Sequence, residues 1–403
     1  MSREATPDLP PGATPVGLVD APGLPPIPFN RPALEGHELE YIRQSVTSGH
    51  TSSGGPFSER ASALLAAETG AKDVLLTTSC TSALEMSALL LDLKPGDTVI
   101  VPSFTFSTTA LAFARAGAQL LFADIEPNTL GVDPRSVERL LDDSVRAVVP
   151  VHYAGVACDM DGLFEVLTDR PDVVVIEDNA HGLYGRWRGQ PLGSLGALAT
   201  LSFHETKNFV SGEGGALLVN DERYVDRARV LYEKGTDRRA FFLGQVDKYS
   251  WKDTGSSFAM SDTLAAYLTG QLERHDAIQA KRRAVFEAYE RDLTPFTAEL
   301  GFRLPVVPTF CDPAYHMFYV LLDSREVRDR VLADMRSAGV SPTFHYVPLH
   351  TSDAGMRFAA RLTPCPVSDD ISGRLLRLPF FNNLDDQERG RVVELFLRAV
   401  RRG

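Results

Sequence analysis

The pattern that most constrains this chain is a series of short, mostly continuous apolar runs separated by helix-patterned stretches. The runs are Val74–Leu76, Val99–Val101, Leu120–Phe122, Ala147–Val151, Val173–Ile176 and Leu198–Phe203. They do not alternate apolar with polar, as a strand with one wet face would. They read as strands buried on both faces. The stretches between them carry helical spacing. After Cys80, for example, Leu84, Ala88 and Leu91 fall at i, i+4 and i+7 on one face. Strands and helices in alternation predict an α/β fold with a mainly parallel sheet and helices on both sides. Such sheets bind ligands beyond the carboxyl ends of their strands.

The ends of the chain read differently. Residues 1–26 hold seven prolines and little that can form a core, which predicts a flexible Pro-rich extension with structure starting near Ile27. After about residue 265 the alternation stops. A long polar helix over roughly Ser261 to Leu293 leads into fewer elements. These are a strand near Met317–Leu322, a helix near Arg325–Ala338, a strand near Thr343–Val347 and a last helix from about Asp385 to Arg398. The expected division is a large ligand-binding domain over 27–265 and, over 266–403, an interdomain helix with a smaller α+β domain.

Three clusters at strand ends carry chemistry. The run from Val173 ends in Glu177-Asp-Asn-Ala-His181, and a carboxylate there faces the ligand position; Asp178 reads equally as a helix N-cap. The run from Leu198 ends in Ser202-Phe-His-Glu-Thr-Lys-Asn208, followed by Gly212-Glu-Gly-Gly215. A lysine between an apolar strand and a glycine-rich turn is placed to be desolvated, which lowers its pKa and makes it a nucleophile toward carbonyls. Thr77-Thr-Ser-Cys-Thr-Ser82 lies between a strand and a helix, where hydroxyls and unpaired N–H groups make an anion site. Together these supply what pyridoxal 5′-phosphate needs: a phosphate cradle at 79–82, a carboxylate at 178 for the pyridinium nitrogen, and an amine at 207. Phe106 reads as a ring for stacking on the cofactor or as a core phenylalanine.

With Ile27-Pro-Phe-Asn30 and His345-Tyr-Val-Pro-Leu-His350 added, these motifs resemble the DegT/DnrJ/EryC1/StrS sugar aminotransferases over about residues 27–400. Val151-His-Tyr-Ala-Gly-Val-Ala-Cys-Asp-Met160, Phe203–Asn208 and Gly244-Gln-Val-Asp-Lys-Tyr-Ser-Trp251 are most similar to the dTDP-4-amino-4,6-dideoxyhexose transaminases. The resemblance implies a fold-type I architecture with a seven-stranded, mainly parallel sheet, a small C-terminal domain and a homodimer with active sites at its interface. It implies Lys207 as Schiff-base lysine, Asp178 as pyridinium partner, His181 near the phenolic oxygen and Phe106 on the ring. Ser79, Thr81, Ser82 and Ser202 fall at phosphate positions. Ser257 stands where many members carry an asparagine that reaches the partner's cofactor. His204, three residues before the lysine, takes a catalytic or hydrogen-bonding role. Tyr346 and His350 belong to the sugar-nucleotide end or to strand packing, and Lys248 to the diphosphate or to the open surface. The implied reaction moves an amino group from L-glutamate to C4 of dTDP-4-keto-6-deoxy-D-glucose. A 3-aminotransferase or an enzyme for UDP sugars is the alternative.

Composition narrows the partners. With 41 basic and 53 acidic residues the net charge is −12, which disfavours nucleic acid and anionic membranes. No apolar run approaches the roughly 18 residues of a membrane span, and no signal core opens the chain. Four scattered cysteines form no CxxC pair, which disfavours disulfides and zinc and predicts a reduced cytoplasm and no metal. A chain this acidic repels phosphorylated ligands overall, so their binding has to rest on local features such as the 79–82 turn and Lys207.

Overall fold

A computed structural model describes residues 25–402 apart from 239, 240, 242, 243 and 245. The proline-rich stretch up to residue 24, expected as an extension, lies outside the described residues.

Seven strands form the main sheet: β1 (Asp73–Thr77), β2 (Thr98–Pro102), β3 (Gln119–Ala123), β4 (Val145–Val148), β5 (Val174–Asp178), β6 (Leu198–Ser202) and β7 (Gly215–Val219). Their order is β1-β7-β6-β5-β4-β2-β3. The pairs from β6 through β3 are parallel, and β7 runs antiparallel to both β1 and β6. The continuous apolar runs are explained by cover on both faces. In β1, Leu75 packs with the Cys80–Leu90 helix while Val74 and Leu76 pack toward the Pro56–Thr69 and Asp262–Leu272 helices. β7 is the strand the apolar runs do not single out, because Gly215-Ala-Leu-Leu-Val219 begins inside the glycine-rich turn.

The C-terminal part has its own core, built from the His275–Leu293, Arg325–Ser337 and Asp386–Arg401 helices around strands β8 (Tyr319–Leu321) and β9 (Leu375–Arg377). Ile27, expected to open the large domain, sits in this core instead and bridges Val340. The helix expected over 261–293 is two, Asp262–Leu272 and His275–Leu293, separated at Glu273 and Arg274. No glycine or proline marks the break. The first helix is buried against the sheet side and the second turns to the C-terminal core, so tertiary packing overrides the sequence pattern. The strand expected at 343–347 is also absent. Only Thr343 pairs, with Arg377, and β9 takes the place beside β8. None of the described helices is long and apolar enough to cross a membrane.

Candidate active site

The carboxyl ends of β5 and β6 and the turn after β1 converge on one cavity of about 550 Å³. The first wall is the start of the Cys80–Leu90 helix. Ser79 is its N-cap, in extended conformation, and its Oγ accepts the Ser82 N–H at 3.1 Å. The Ser82 hydroxyl is bonded to Thr78 (2.8 Å) and Ser79 (3.1 Å). Ser82 is thus bonded inside the cap and is not among the residues lining the cavity, where a side-chain phosphate contact was expected. Ser79, Cys80 and Thr81 do line it. The first N–H groups of a helix have no intrahelical partner, so those of Cys80 and Thr81 remain for an anion. β7 runs directly beneath this turn. A Cβ on Gly215 would fall into the backbone of Ser79 and Cys80, and only glycine permits that approach.

The second wall is the end of β5. Asp178 is 5% exposed; its Oδ2 accepts the Thr109 hydroxyl at 2.7 Å and its Oδ1 the Ala180 N–H at 3.2 Å. Burial pushes the Asp178 carboxyl up, and Thr109, Ala180 and Lys207 work against that. The neighbouring Glu177 points to the other side of the sheet, where it accepts the N–H groups of Gly193, Leu195 and Gly196 and bonds His152. One carboxylate therefore holds the scaffold and the other faces the ligand position.

The third wall is the loop after β6. Ser202 and His204 line the cavity, as does the half-buried Lys207. Burial pulls the Lys207 amine down to about 8; Cys80 and Asp178 oppose this, and Arg377 adds to it. His204 Nδ1 is bonded to the Thr206 hydroxyl at 2.9 Å, and its Nε2 lies 3.7 Å from Glu213. His181 also faces the cavity. Its ring stacks on His316 at 4.1 Å, and its buried Nδ1 has no partner. Phe106 stands at the rim, 58% exposed. Asp178 makes a turn-capping bond to the Ala180 N–H and also lines the cavity, while Phe106 lies at its rim and not in the core.

Tyr346 lines the cavity, stacked on His345 at 3.9 Å. His350 does not. Its Nδ1 is bonded to Ser103 Oγ at 2.7 Å, which ties its loop to the end of β2. Lys248 and Ser257 are exposed and lie off the cavity of a single chain. Gln245, quoted with Lys248, is outside the described residues. The cavity also holds residues not expected as site residues, among them Arg377, His316 and His345. The isolated charge in Leu375-Leu-Arg-Leu-Pro379 is a legible sign of the first.

One ligand satisfies these walls together. A phosphate suits the helix start, a protonated pyridine nitrogen suits Asp178, a phenolic oxygen suits the unpaired His181 Nδ1, and an aldehyde suits Lys207. Fold and site thus define a pyridoxal-phosphate-dependent aminotransferase. The chain is 30% identical over 376 residues to the spore coat polysaccharide biosynthesis protein SpsC of Bacillus subtilis, covering 91% of this chain and 95% of that one. It superposes on S. venezuelae DesV with a TM-score of 0.85 at 29% identity, covering 94% of this chain and 100% of that one. The aminotransferase TlmJ of Streptoalloteichus hindustanus gives the same TM-score of 0.85 at 28% identity, with 93% and 99% covered. Residues 32–397 match the DegT/DnrJ/EryC1/StrS aminotransferase family, and the chain belongs to that family. It is a sugar aminotransferase.

Proposed function

We propose that the chain transfers the amino group of L-glutamate to the C4 ketone of dTDP-4-keto-6-deoxy-D-glucose, giving a dTDP-4-amino-4,6-dideoxyhexose. The observation that carries the transaminase part is the meeting of Lys207, Asp178 and the Cys80–Leu90 helix start on one cavity. The sugar is supported by the likeness of Val151–Met160, Phe203–Asn208 and Gly244–Trp251 to the 4-aminotransferases. The similarity to a spore coat polysaccharide protein supports a product used in polysaccharide assembly, and glycosylation of a natural product is the other outlet. We place the enzyme in the cytoplasm as a homodimer with its large and small domains divided near residue 265. In that dimer Ser257 and Lys248 serve the partner's cavity.

Pyridoxal phosphate, when bound, supplies the electron sink for the donor's α-carbon. The protein's residues do the rest. Cys80 and Thr81 N–H groups, with the hydroxyls of Ser79, Thr81 and Ser202, would hold its phosphate. Asp178, kept in place by Thr109, would keep its ring nitrogen protonated. Phe106 would cover its ring face. Lys207, its amine pulled toward the neutral form by burial, would be the residue that bonds its aldehyde carbon, with the oxygen leaving as water. Freed by the donor, Lys207 Nζ would be the base placed to hold and move the donor's α-proton, a role worth about 10²- to 10⁴-fold for a positioned base. The second half-reaction uses the same groups in reverse on the sugar ketone.

The test is incubation of the holoenzyme with L-glutamate and dTDP-4-keto-6-deoxy-D-glucose, with the product read by NMR. An amine at C4 is expected. Turnover only with the 3-keto isomer, or only with a UDP sugar, would replace the substrate assignment.

A further inference from the structure

His316 lines the cavity, and the reaction above gives it no task. It is 3% exposed and lies just before β8, in the C-terminal part of the chain. Its backbone is pinned. The buried Arg282 guanidinium donates to the carbonyls of Tyr315 (2.9 Å) and His316 (2.6 Å), and the His316 N–H reaches Ala154 O at 3.3 Å. Its side chain is tied to the residue that follows Lys207. Asn208 Nδ2 donates to the Ala314 carbonyl at 2.6 Å, and Asn208 Oδ1 meets His316 Nδ1 at 2.8 Å. A carbonyl only accepts, so the amide end at Ala314 is the NH₂ and the end at His316 is the oxygen. His316 must therefore carry its proton on Nδ1. Its Nε2 keeps a lone pair and bonds no described residue. Burial, then the charges of His181, Lys207, Arg282 and Arg377, hold this ring well below the usual histidine pKa, so it stays neutral.

The neighbouring His181 has no such anchor. Among the described residues nothing bonds its ring, and its buried Nδ1 has no partner. Packing alone sets its plane. His316 stacks on it with centroids 4.1 Å apart and planes 13° from parallel, and Tyr153 meets it edge-on at 5.8 Å. Without the stack, the His181 ring would be free to turn about its side-chain bonds. With it, a ring that is itself locked at Nδ1 and along its backbone holds the ring that serves the cofactor's phenolic oxygen. Neutrality matters here as well. A protonated His316 would repel His181 and the Lys207 ammonium together, whereas two neutral rings stack without that cost.

We propose that His316 is a positioning residue, locked by Asn208 as the Nδ1-protonated tautomer, that holds the plane of His181 toward the phenolic oxygen of the cofactor. The proposal rests on the cofactor site of the reading above and not on the identity of the sugar. Its test has two arms. In the first, the full-length enzyme with isotope-labelled histidine is read by NMR, with and without pyridoxal phosphate. His316 should show a proton on Nδ1, a bare Nε2 and no titration between about pH 5.5 and 9. In the second, the pH at which the absorbance band of the bound cofactor shifts is compared for wild type, His316→Phe and His316→Gln. Phenylalanine keeps a stacked ring and loses the bond to Asn208; glutamine keeps a donor for Asn208 and loses the stack. A hydrogen bond to an oxyanion lowers its proton affinity, so a misaimed His181 should move the transition upward. His316→Gln should raise it by about 0.5–1 pH unit and weaken cofactor binding about 3- to 10-fold, the worth of one ring stack. His316→Phe should leave cofactor binding within about two-fold and the transition near that of the wild type. A proton on Nε2, or a titrating His316, would overturn the proposal in the wild type alone. So would an unmoved transition in cofactor-loaded His316→Gln, the result of a merely structural role, or equal shifts in the two variants. A wild type that forms no cofactor band would overturn the transaminase reading and this proposal together.

Discussion

Replacing Asp178 with asparagine in the cofactor-free enzyme tests the electrostatics of the site at its reacting atom. Burial pulls the Lys207 amine from 10.5 down to about 8, and the Asp178 carboxylate is one of the two groups opposing the fall. At pH 7.5 an amine of pKa about 8 is roughly one-quarter neutral, against about one-thousandth for an ordinary lysine, so the site raises the reactive fraction by about two orders of magnitude. The Asp178→Asn substitution removes a negative charge that favours the ammonium form. The Lys207 pKa should then fall further, and the neutral fraction at pH 7.5 should rise. The assay is the second-order rate at which apoenzyme captures pyridoxal phosphate, measured against pH by absorbance. The wild-type rate should rise through an inflection near 8 and level off. Asp178→Asn should move the inflection to lower pH, and the captured cofactor should then transaminate poorly, because the ring nitrogen has lost its partner. A wild-type inflection near 10.5, or one that Asp178→Asn moves upward, would refute the reasoning.

Three further perturbations follow from the same walls. Thr109→Val keeps the shape of the side chain and deletes the hydroxyl that donates to Asp178 Oδ2 at 2.7 Å. The Asp178 pKa should rise, and turnover should fall about ten-fold, with the acid limb of the pH–rate profile moved to higher pH. Gly215→Ala places a methyl group inside the backbone of Ser79 and Cys80. It should cost about 1–3 kcal/mol in denaturant unfolding and weaken cofactor binding in titration, because the strand and the helix start must separate. Ser103→Ala breaks the 2.7 Å bond to His350. It should cost about 1 kcal/mol of stability and leave both substrates' half-saturation unchanged, since His350 anchors a loop rather than touching substrate.

The fold was legible where one physical cause acts alone. Continuous apolar runs mark six of the seven sheet strands, because a strand covered on both faces has no polar side to show. The seventh emerges from a pair of glycines, the second needed for close approach to Ser79, and their presence hides the strand. The break at Glu273–Arg274 left no sign because two separate cores, not a local breaker, set it. In the site, Asp178 ends β5, Ser79 caps the helix whose first turn holds Thr81, and Lys207 follows β6 in its loop, so sequence position alone puts all four near the carboxyl edge of the sheet. His350 and Ser82 could not be separated from them by position, since a hydroxyl or an imidazole serves a cap or a loop anchor as readily as a ligand. Arg377 and His316 come from the C-terminal part and reach the cavity only through tertiary packing. Such neighbours leave little trace in local pattern beyond an isolated charge among leucines.

The central claim is that Lys207 holds the cofactor and moves the proton. The most direct measurement is borohydride reduction of the holoenzyme, followed by digestion and mass spectrometry of the lysine peptides, alongside the absorbance spectrum and turnover of Lys207→Ala. A reduced cofactor adduct is expected on Lys207 alone, with a Lys207→Ala enzyme that lacks the covalent absorbance band and measurable turnover. An adduct on another lysine, or a Lys207→Ala enzyme that still holds cofactor covalently and transaminates, would contradict it.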